Sequence, residues 1–249
     1  MTSERGTWRS RSNQTRHAAR SHFISVEVAI HNILYVRHLY PADLFVRRKR
    51  YEVPVFQARH PDLISYISGA MKAVAAEMKL GHVEKVIVVL KKNDNVAMER
   101  FIFSIQNMLT LDDWDLDQSV EEAMTSQKLG QYFRAFLVKL AMIESSLGPL
   151  NLGDNGTFAI ILELENDAAP TATEGENEPP KWMPALYQHT TIGTSDASEL
   201  HFIRAVDTGI INLSFAIQET GEKIDRDASQ EGIETKRNPE DPPDGLLAT

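Results

Sequence analysis

Cysteine is absent from all 249 residues of the chain. Its absence excludes disulfide scaffolds, thiolate metal sites and cysteine nucleophiles, and it is compatible with a reducing compartment. No run of about 18 apolar residues occurs either, so we expect no membrane-spanning helix. The N-terminus has charged residues without an apolar stretch behind them, which is unlike a secretory signal. Together these absences predict a soluble intracellular protein.

The sequence also lacks the common motifs of catalytic and phosphate-binding sites. It contains no glycine-rich phosphate loop, no His-Glu-x-x-His and no Gly-x-Ser-x-Gly. Asp113, Asp115 and Asp117 alternate as in a calcium-binding loop. However, Gln118 stands where the sharp turn needs glycine, and Met124 stands where the loop needs its bidentate glutamate. We therefore interpret this run as a solvated loop and helix start. No metal or cofactor is expected, and the chain is predicted not to be an enzyme.

Two other groups of polar residues have alternative interpretations. His31 and His38 are seven positions apart, and no neighbouring Asp or Glu completes a metal site, so we expect both on the surface. Arg47, Arg48, Lys49 and Arg50 form a basic run at the start of a predicted strand. This run is as consistent with a nuclear localisation signal as with a structural role on the surface.

Charge is distributed unevenly along the chain. The formal net charge is −9, so the chain as a whole is a poor candidate for gripping a phosphate backbone. Residues 1–50 nevertheless carry 10 basic and 3 acidic side chains, whereas residues 161–249 carry 6 and 18. Segments of low apolar content predict a disordered basic arm over 1–22, a flexible loop over 166–180 and a disordered acidic tail over 220–249. One folded domain is expected between them, over 23–219.

Apolar periodicity and turn residues predict the elements of this domain. Three helices are expected over 23–40, over 62–79 and from Asp117 or Ser119 to about 148. Five strands are expected over 50–57, 84–92, 98–106, 157–165 and 211–219. The continuous apolar run of the fourth strand predicts a central strand that is covered on both faces. This order favours an α+β fold with three helices on one face of an antiparallel or mixed sheet.

Several sequence blocks resemble the HORMA-domain family, in the same order and with sensible spacing. They are VEVAIHNILYVRHLYPADLFVRRKRYEVPV (26–55), HPDLISYI (60–67), YFRAFLVKL (132–140), TFAIILEL (157–164) and KWMPA (181–185). Within the family they are similar to the accessory, non-catalytic subunits of DNA polymerase zeta. The resemblance implies a HORMA fold, with three helices packed on a mostly antiparallel sheet and a C-terminal safety belt over about 181–219. The 166–180 loop would let this belt open and close.

The resemblance implies an adaptor that supports translesion synthesis and DNA damage bypass in the nucleus. Its partner would be the catalytic subunit of DNA polymerase zeta, which has a Pro-containing segment that the belt would hold. The alternative is a spindle-checkpoint or meiotic-chromosome HORMA adaptor with a different client peptide. Neither direct nucleic-acid binding nor membrane binding is expected.

Site residues follow from the same resemblance, position by position. Tyr66 and Trp182 would contact the partner peptide, with Tyr40 a weaker candidate, since flat aromatic faces suit proline rings. Arg134 matches an arginine that the family associates with a HORMA homodimer.

A second binding edge is implied by Leu200, which matches the family's docking edge for the deoxycytidyl-transferase translesion polymerase. At Ser214 and Ala216, however, this chain has smaller residues than the polar and aromatic side chains of the family. Docking of that partner is therefore a weaker expectation than peptide capture.

Overall fold

The computed structural model describes residues 26–78, 80, 82–92, 95–107, 126–143, 147–150, 152, 155–165, 170, 182–191, 193, 198–207 and 211–224. Helix α1 covers 26–36, α2 covers Pro61–Met78 and α3 covers Ser126–Ala141. The predicted start of α3 at Asp117 or Ser119 lies outside the described residues. Gly130 lies inside α3 and does not interrupt it. No helix in the described part of the chain is long and apolar enough to cross a membrane.

Helix α1 ends at residue 36 in a Schellman motif, four residues before the end expected at residue 40. The Leu39 N–H donates to the Leu34 carbonyl at 3.1 Å, and the His38 N–H donates to the Tyr35 carbonyl at 3.0 Å. His38 adopts the left-handed conformation, with φ at 52°. These two bonds satisfy carbonyl groups that the last turn of a helix leaves without intrahelical partners.

The seven strands form a five-stranded sheet and a separate two-stranded hairpin. The larger sheet has the order β5-β3-β4-β7-β6, and each neighbouring pair is antiparallel. The hairpin is formed by β1 and β2. The strand bounds are Phe45–Arg50 for β1, Val53–Ala58 for β2, Val83–Lys91 for β3, Ala97–Asn107 for β4, Thr157–Leu164 for β5, Glu199–Asp207 for β6 and Ile211–Glu219 for β7. The predicted α+β class is confirmed.

The hairpin differs from the single strand that was expected over 50–57. A two-residue turn divides this segment, because Tyr51 and Glu52 both have positive φ, at 46° and 66°. This is the backbone geometry of a type I′ turn, which the sequence did not signal because neither position holds Gly or Asn. The basic run forms the preceding strand, β1, rather than the start of the following one.

Two further strands differ from the sequence-based expectation. Strand β5, expected at the centre, is an edge strand, since only β3 pairs with it among the described residues. Strand β6 was not predicted at all, because polar and apolar residues do not alternate along it in a pattern that marks a buried face. These two strands form the edges of the five-stranded sheet.

The main core lies between the helices and one face of the five-stranded sheet. Phe103 and Phe215 on neighbouring strands have ring centroids 4.8 Å apart, and Phe136 of α3 packs edge-on against Phe215 at 5.6 Å. A smaller apolar cluster lies on the opposite face, which none of the three described α-helices covers and which we call the helix-free face. It consists of Ile87, Val89, Ala97, Ile102, Ile161 and Ala216. A sheet that is buried on both faces explains the continuous apolar run of β3.

Candidate functional site

Two of the predicted aromatic residues meet at the outer edge of β5. The rings of Tyr66 and Tyr40 pack edge-on against Phe158, with centroids 5.4 Å and 6.3 Å away. The Tyr66 hydroxyl accepts a hydrogen bond from the Ile160 N–H at 3.4 Å. Because this N–H bonds to a side chain rather than to β3, it faces away from the sheet. Tyr66 therefore covers a backbone donor that an added strand would use.

Tyr40 and Tyr66 differ in how deeply they are buried. The Tyr66 side chain is 45% exposed, whereas Tyr40 is half-buried against the main core. Burial raises the pKa of Tyr40, and the nearby Tyr66 adds to this, while a hydrogen bond with the Thr157 side chain acts in the opposite direction. The pair presents one exposed and one sheltered aromatic ring to the same strand edge.

Trp182 introduces a segment that passes from one face of the sheet to the other. Its half-buried indole packs against the helix-side core, and the next residue, Met183, is 85% exposed. Nine positions after Trp182, Thr191 binds Glu163 of β5 on the helix-free face. The Thr191 N–H donates to Glu163 Oε1 at 2.7 Å, and its hydroxyl donates to Oε2 at 2.7 Å. The chain therefore changes faces between Trp182 and Thr191.

Cations help to hold this crossing segment on the helix-free face. The Lys85 ammonium donates to the Thr191 hydroxyl at 3.4 Å and to Glu163 at 3.1 Å, and the Arg100 guanidinium donates to the Gln188 carbonyl. Burial opposes the charge of Lys85, but its hydrogen bonds to Glu84 and Glu163 outweigh burial and raise its pKa. Burial lowers the pKa of Arg100. These contacts belong to the segment that the sequence assigns to the safety belt.

Buried charges tie the end of β7 to the neighbouring strand β4. Glu99, Glu219 and Glu199 lie in direct register across β4, β7 and β6. Lys223, in the helical turn after β7, donates to Glu99 at 2.7 Å and also to Glu219. His201 lies 2.9 Å from the other oxygen of Glu219.

The same region contains the donor set that best suits a metal ion. Glu199, His201 and Glu219 bring one ligand atom each to within 4.8 Å of one another. Carboxylate and imidazole groups of this kind could hold a divalent cation. However, both oxygens of Glu219 already form hydrogen bonds, one with Lys223 and one with His201, which account for this cluster of side chains without a metal ion.

The predicted second edge lies on the helix-free face, on β6 and β7. Leu200 is 50% exposed, Ser214 is partly exposed, and Ala216 is buried. Phe202 stands directly opposite Ala216 and is 74% exposed. Sequence reasoning missed Phe202, although it lies two positions after Leu200 and therefore on the same face of β6.

The remaining predicted residues lie apart from the β5 edge. Arg134 is exposed on α3, close enough to Glu52 of the hairpin turn to help lower the pKa of that carboxyl group, after the larger effect of Lys49. His31, expected on the surface, is 3% exposed. Its Nδ1 accepts the Ala58 N–H at 3.4 Å, so it joins α1 to the edge of β2. The surface prediction failed because this partner is distant in sequence.

Comparison with known proteins identifies the class of this fold. The HORMA domain model matches residues 24–210, and the chain belongs to the HORMA-domain family. Similar proteins include the mitotic spindle assembly checkpoint protein MAD2B of Gallus gallus, 34% identical over 143 residues, which are 57% of this chain and 64% of that protein. The DNA polymerase zeta processivity subunit of Arabidopsis thaliana is 36% identical over 140 residues, which are 56% of this chain and 61% of that protein. The matches thus span less than two thirds of these curated relatives.

Solved structures support the same fold. One chain in the crystal structure of the mitotic checkpoint complex superposes with a TM-score of 0.61 at 15% identity, over 82% of this chain and 95% of that one. The structure of HTP-2 bound to HTP-3 motif-6 gives a TM-score of 0.55 at 13% identity, over 79% and 87%. At such low identities these likenesses establish the fold alone.

Proposed function

We propose that this protein is a non-catalytic HORMA adaptor that captures an extended, Pro-containing segment of the catalytic subunit of DNA polymerase zeta. The segment would add a strand to the outer edge of β5, beneath a safety belt formed by about residues 181–219. The observation that carries the proposal is the Ile160 N–H, which faces this edge and is covered by the half-exposed Tyr66. An added strand gains affinity from backbone hydrogen bonds and specificity from side-chain contacts.

The aromatic rings favour proline in the captured segment. Tyr66 and Tyr40 both pack against Phe158 and leave ring surface beside β5. Proline has no N–H to donate and exposes a flat apolar ring, so it fits an aromatic-lined edge better than a central strand position. Trp182 stands at the start of the belt and supplies a third ring.

The belt would control how fast the segment leaves. Thr191 binds Glu163, Lys85 binds the Thr191 hydroxyl and Arg100 binds the Gln188 carbonyl, so release of an enclosed peptide requires these contacts to open first. Differences in affinity among related complexes arise mostly in the dissociation rate. The proposed function thus depends on the belt as well as on the β5 edge.

The polymerase zeta context comes from the relatives that are named as processivity subunits. We accordingly place the protein in the nucleus, in translesion synthesis and DNA damage bypass. The second candidate is a checkpoint or meiotic-chromosome adaptor, which the relatives named MAD2B favour. Purification of the protein from its own cells, followed by mass spectrometry of the belt-bound segment, distinguishes the two.

Calorimetric titration with a synthetic Pro-containing segment of the polymerase zeta catalytic subunit tests the site. We expect Tyr66→Ala and Trp182→Ala each to weaken binding by at least about tenfold, in the range of an aromatic hot spot. Tyr132→Ala is the matched control, because Tyr132 is an exposed tyrosine on α3. Wild-type affinity in both site variants, with the fold intact by circular dichroism, would refute the assignment.

Two further surfaces are proposed from the resemblance to the HORMA-domain family, the second more weakly than the first. Arg134 on α3 would contribute to a HORMA homodimer, and Arg134→Ala would then shift the protein to monomer in light scattering. Leu200, Ser214 and Ala216 would form a second docking face for the deoxycytidyl-transferase translesion polymerase, with Phe202 supplying an aromatic ring opposite Ala216. Loss of that binding in Leu200→Ala or Phe202→Ala is the expected result.

A further inference from the structure

The β1–β2 hairpin concentrates positive charge on a protein that is acidic overall. Arg47, Arg48, Lys49 and Arg50 occupy consecutive positions of β1, and all four are exposed. Residues 45–60 carry five basic side chains and one acidic side chain, whereas the whole chain has a net charge of −9. The charge of this local surface, rather than the net charge of the whole chain, determines which charged partner it attracts.

The strand conformation divides these cations between both faces of the hairpin. Successive side chains of a strand point to opposite sides, so Arg48 and Arg50 share one face and Arg47 and Lys49 share the other. A two-stranded ribbon has the dimensions that the major groove of DNA admits. Three of the four cations are arginines, which bind phosphate groups with two parallel hydrogen bonds.

The hairpin is fixed in position before any ligand arrives. Side chains of α1 occupy its outer backbone edge, since Asn32 Oδ1 accepts the Phe56 N–H at 3.2 Å and His31 Nδ1 accepts the Ala58 N–H at 3.4 Å. At the turn, the Tyr51 ring packs on Phe133 of α3 at 5.3 Å. A rigid surface loses little backbone conformational entropy when it binds, so less of the electrostatic attraction is offset by the cost of ordering.

The acidic groups near the hairpin, Glu52 and Glu27, are outnumbered by the five basic side chains of residues 45–60. Glu52 pairs with Lys49 at 2.6 Å, but both side chains are about two thirds exposed, at 68% and 67%, and exposed pairs contribute little. Glu27 of α1 lines a cavity of about 340 Å³ with Arg48 and Arg50. Burial raises the pKa of Glu27, although Arg50 acts in the opposite direction.

From these features we propose that the basic β1–β2 hairpin binds the phosphate backbone of DNA without regard to sequence. This inference goes beyond peptide capture and does not depend on it. It also revises the expectation, drawn from the net charge of −9, that the protein makes no direct contact with nucleic acid. Phosphate contacts of this kind position a protein on DNA and weaken as salt displaces them.

Fluorescence anisotropy of the full chain with a labelled DNA of about 30 nucleotides, single-stranded or duplex, tests the proposal. We expect a dissociation constant of roughly 10⁻⁶ to 10⁻⁴ M and a log–log salt slope of about −3 to −4 on duplex DNA, because about four phosphates are neutralised. Arg48→Glu/Arg50→Glu should lower affinity at least about tenfold and reduce the slope by about two. The absence of DNA binding in the wild-type chain at low salt would overturn the proposal.

The matched control is Lys92→Glu/Lys139→Glu, which changes the net charge by the same amount outside the hairpin. We expect it to retain affinity within about threefold, and an equal loss in both pairs would overturn the proposal, because it would indicate a general charge effect. Arg47→Ser/Lys49→Ser tests the other face and provides a second measurement if the first variant unfolds. Tighter binding of a labelled poly-glutamate peptide than of DNA would assign the surface to acidic proteins and also overturn the proposal. No polymerase peptide is present, so these results are independent of peptide capture.

Discussion

Arg37 donates two hydrogen bonds to the carboxylate of Glu99, from Nε to Oε2 at 2.9 Å and from Nη2 to Oε1 at 2.6 Å. Both side chains are buried. The pair joins the end of α1 to β4, and Lys223 joins the last helical turn of the described chain to the same carboxylate at 2.7 Å. One glutamate thus connects the first and last described elements of the fold.

Removal of the Glu99 charge is expected to destabilise the protein strongly. In Glu99→Gln, Arg37 and Lys223 remain buried without their shared counter-ion, and breaking a buried ion pair costs about 3–5 kcal/mol. Urea unfolding followed by circular dichroism measures the change in the free energy of unfolding. Glu84→Gln is the control, because the Glu84 side chain is 47% exposed, and it should change stability by less than about 1 kcal/mol.

The buried His31 is expected to make stability fall in mild acid. Burial lowers its pKa from 6.5 to about 4, so the unfolded chain binds a proton between these values while the folded protein does not. The contribution of neutral His31 to the free energy of unfolding is therefore fully present above about pH 6.5 and is lost as the pH falls towards 4. It amounts to roughly 3 kcal/mol at most. His31→Gln keeps an acceptor for the Ala58 N–H but does not titrate.

Urea unfolding of the wild type and His31→Gln between pH 4.5 and 7.5 isolates this contribution. The free energy of unfolding of the wild type should fall more steeply with acid than that of the variant. Subtraction of the two curves removes the titration of other groups, including His189, for which burial also lowers the pKa. Parallel curves would show that His31 has no such effect.

Sequence-based prediction succeeded for elements whose apolar residues recur with the period of a helix or a strand and therefore lie on the side that faces the core. Helix α2 and strands β3, β4 and β7 were predicted within about two residues, because the same residues determine both pattern and burial. Strand β1 was missed because four of its six residues are basic and exposed, so its sequence lacks the alternation of apolar and polar residues that marks a half-buried strand.

The parts of the site that sequence could not predict depend on long-range pairing. The outer position of β5 follows from strand order, which no local pattern encodes. Likewise, the partner of His31 is a backbone N–H that lies 27 positions away. Tyr66 and Trp182 were proposed from family resemblance, since neither residue has a local pattern that separates binding from packing.

The hairpin turn is expected to tolerate glycine at Glu52. This residue adopts a φ of 66°, a conformation that costs a non-glycine residue about 1–2 kcal/mol. Glycine removes that cost. It also increases the conformational entropy of the unfolded chain, which lowers the free energy of unfolding by roughly 0.5–1 kcal/mol. Glu52→Gly should therefore raise the free energy of unfolding by up to about 1 kcal/mol, measured by urea titration.

The contrasting control for the turn is Gln57→Gly. Gln57 is exposed and lies inside β2, paired with Val46, where glycine carries the entropic cost without any relief of backbone strain, so stability should fall by about 0.5–1 kcal/mol. Equal destabilisation by both glycine substitutions would contradict the assignment of strain to the Glu52 position.

The attachment of Thr191 to Glu163 is expected to limit local opening of the belt. Thr191→Val removes the hydroxyl that donates to Glu163 Oε2 at 2.7 Å but keeps the backbone N–H that donates to Oε1. Loss of one hydrogen bond to a charged group corresponds to about 1.5–3 kcal/mol, which would raise the opening equilibrium of residues 187–191 by about tenfold or more. Hydrogen exchange of these residues measures the change. Thr190→Val is the control, because the Thr190 hydroxyl donates to Tyr187 within the same segment. If the two variants exchange equally fast, the contact with β5 does not hold the belt.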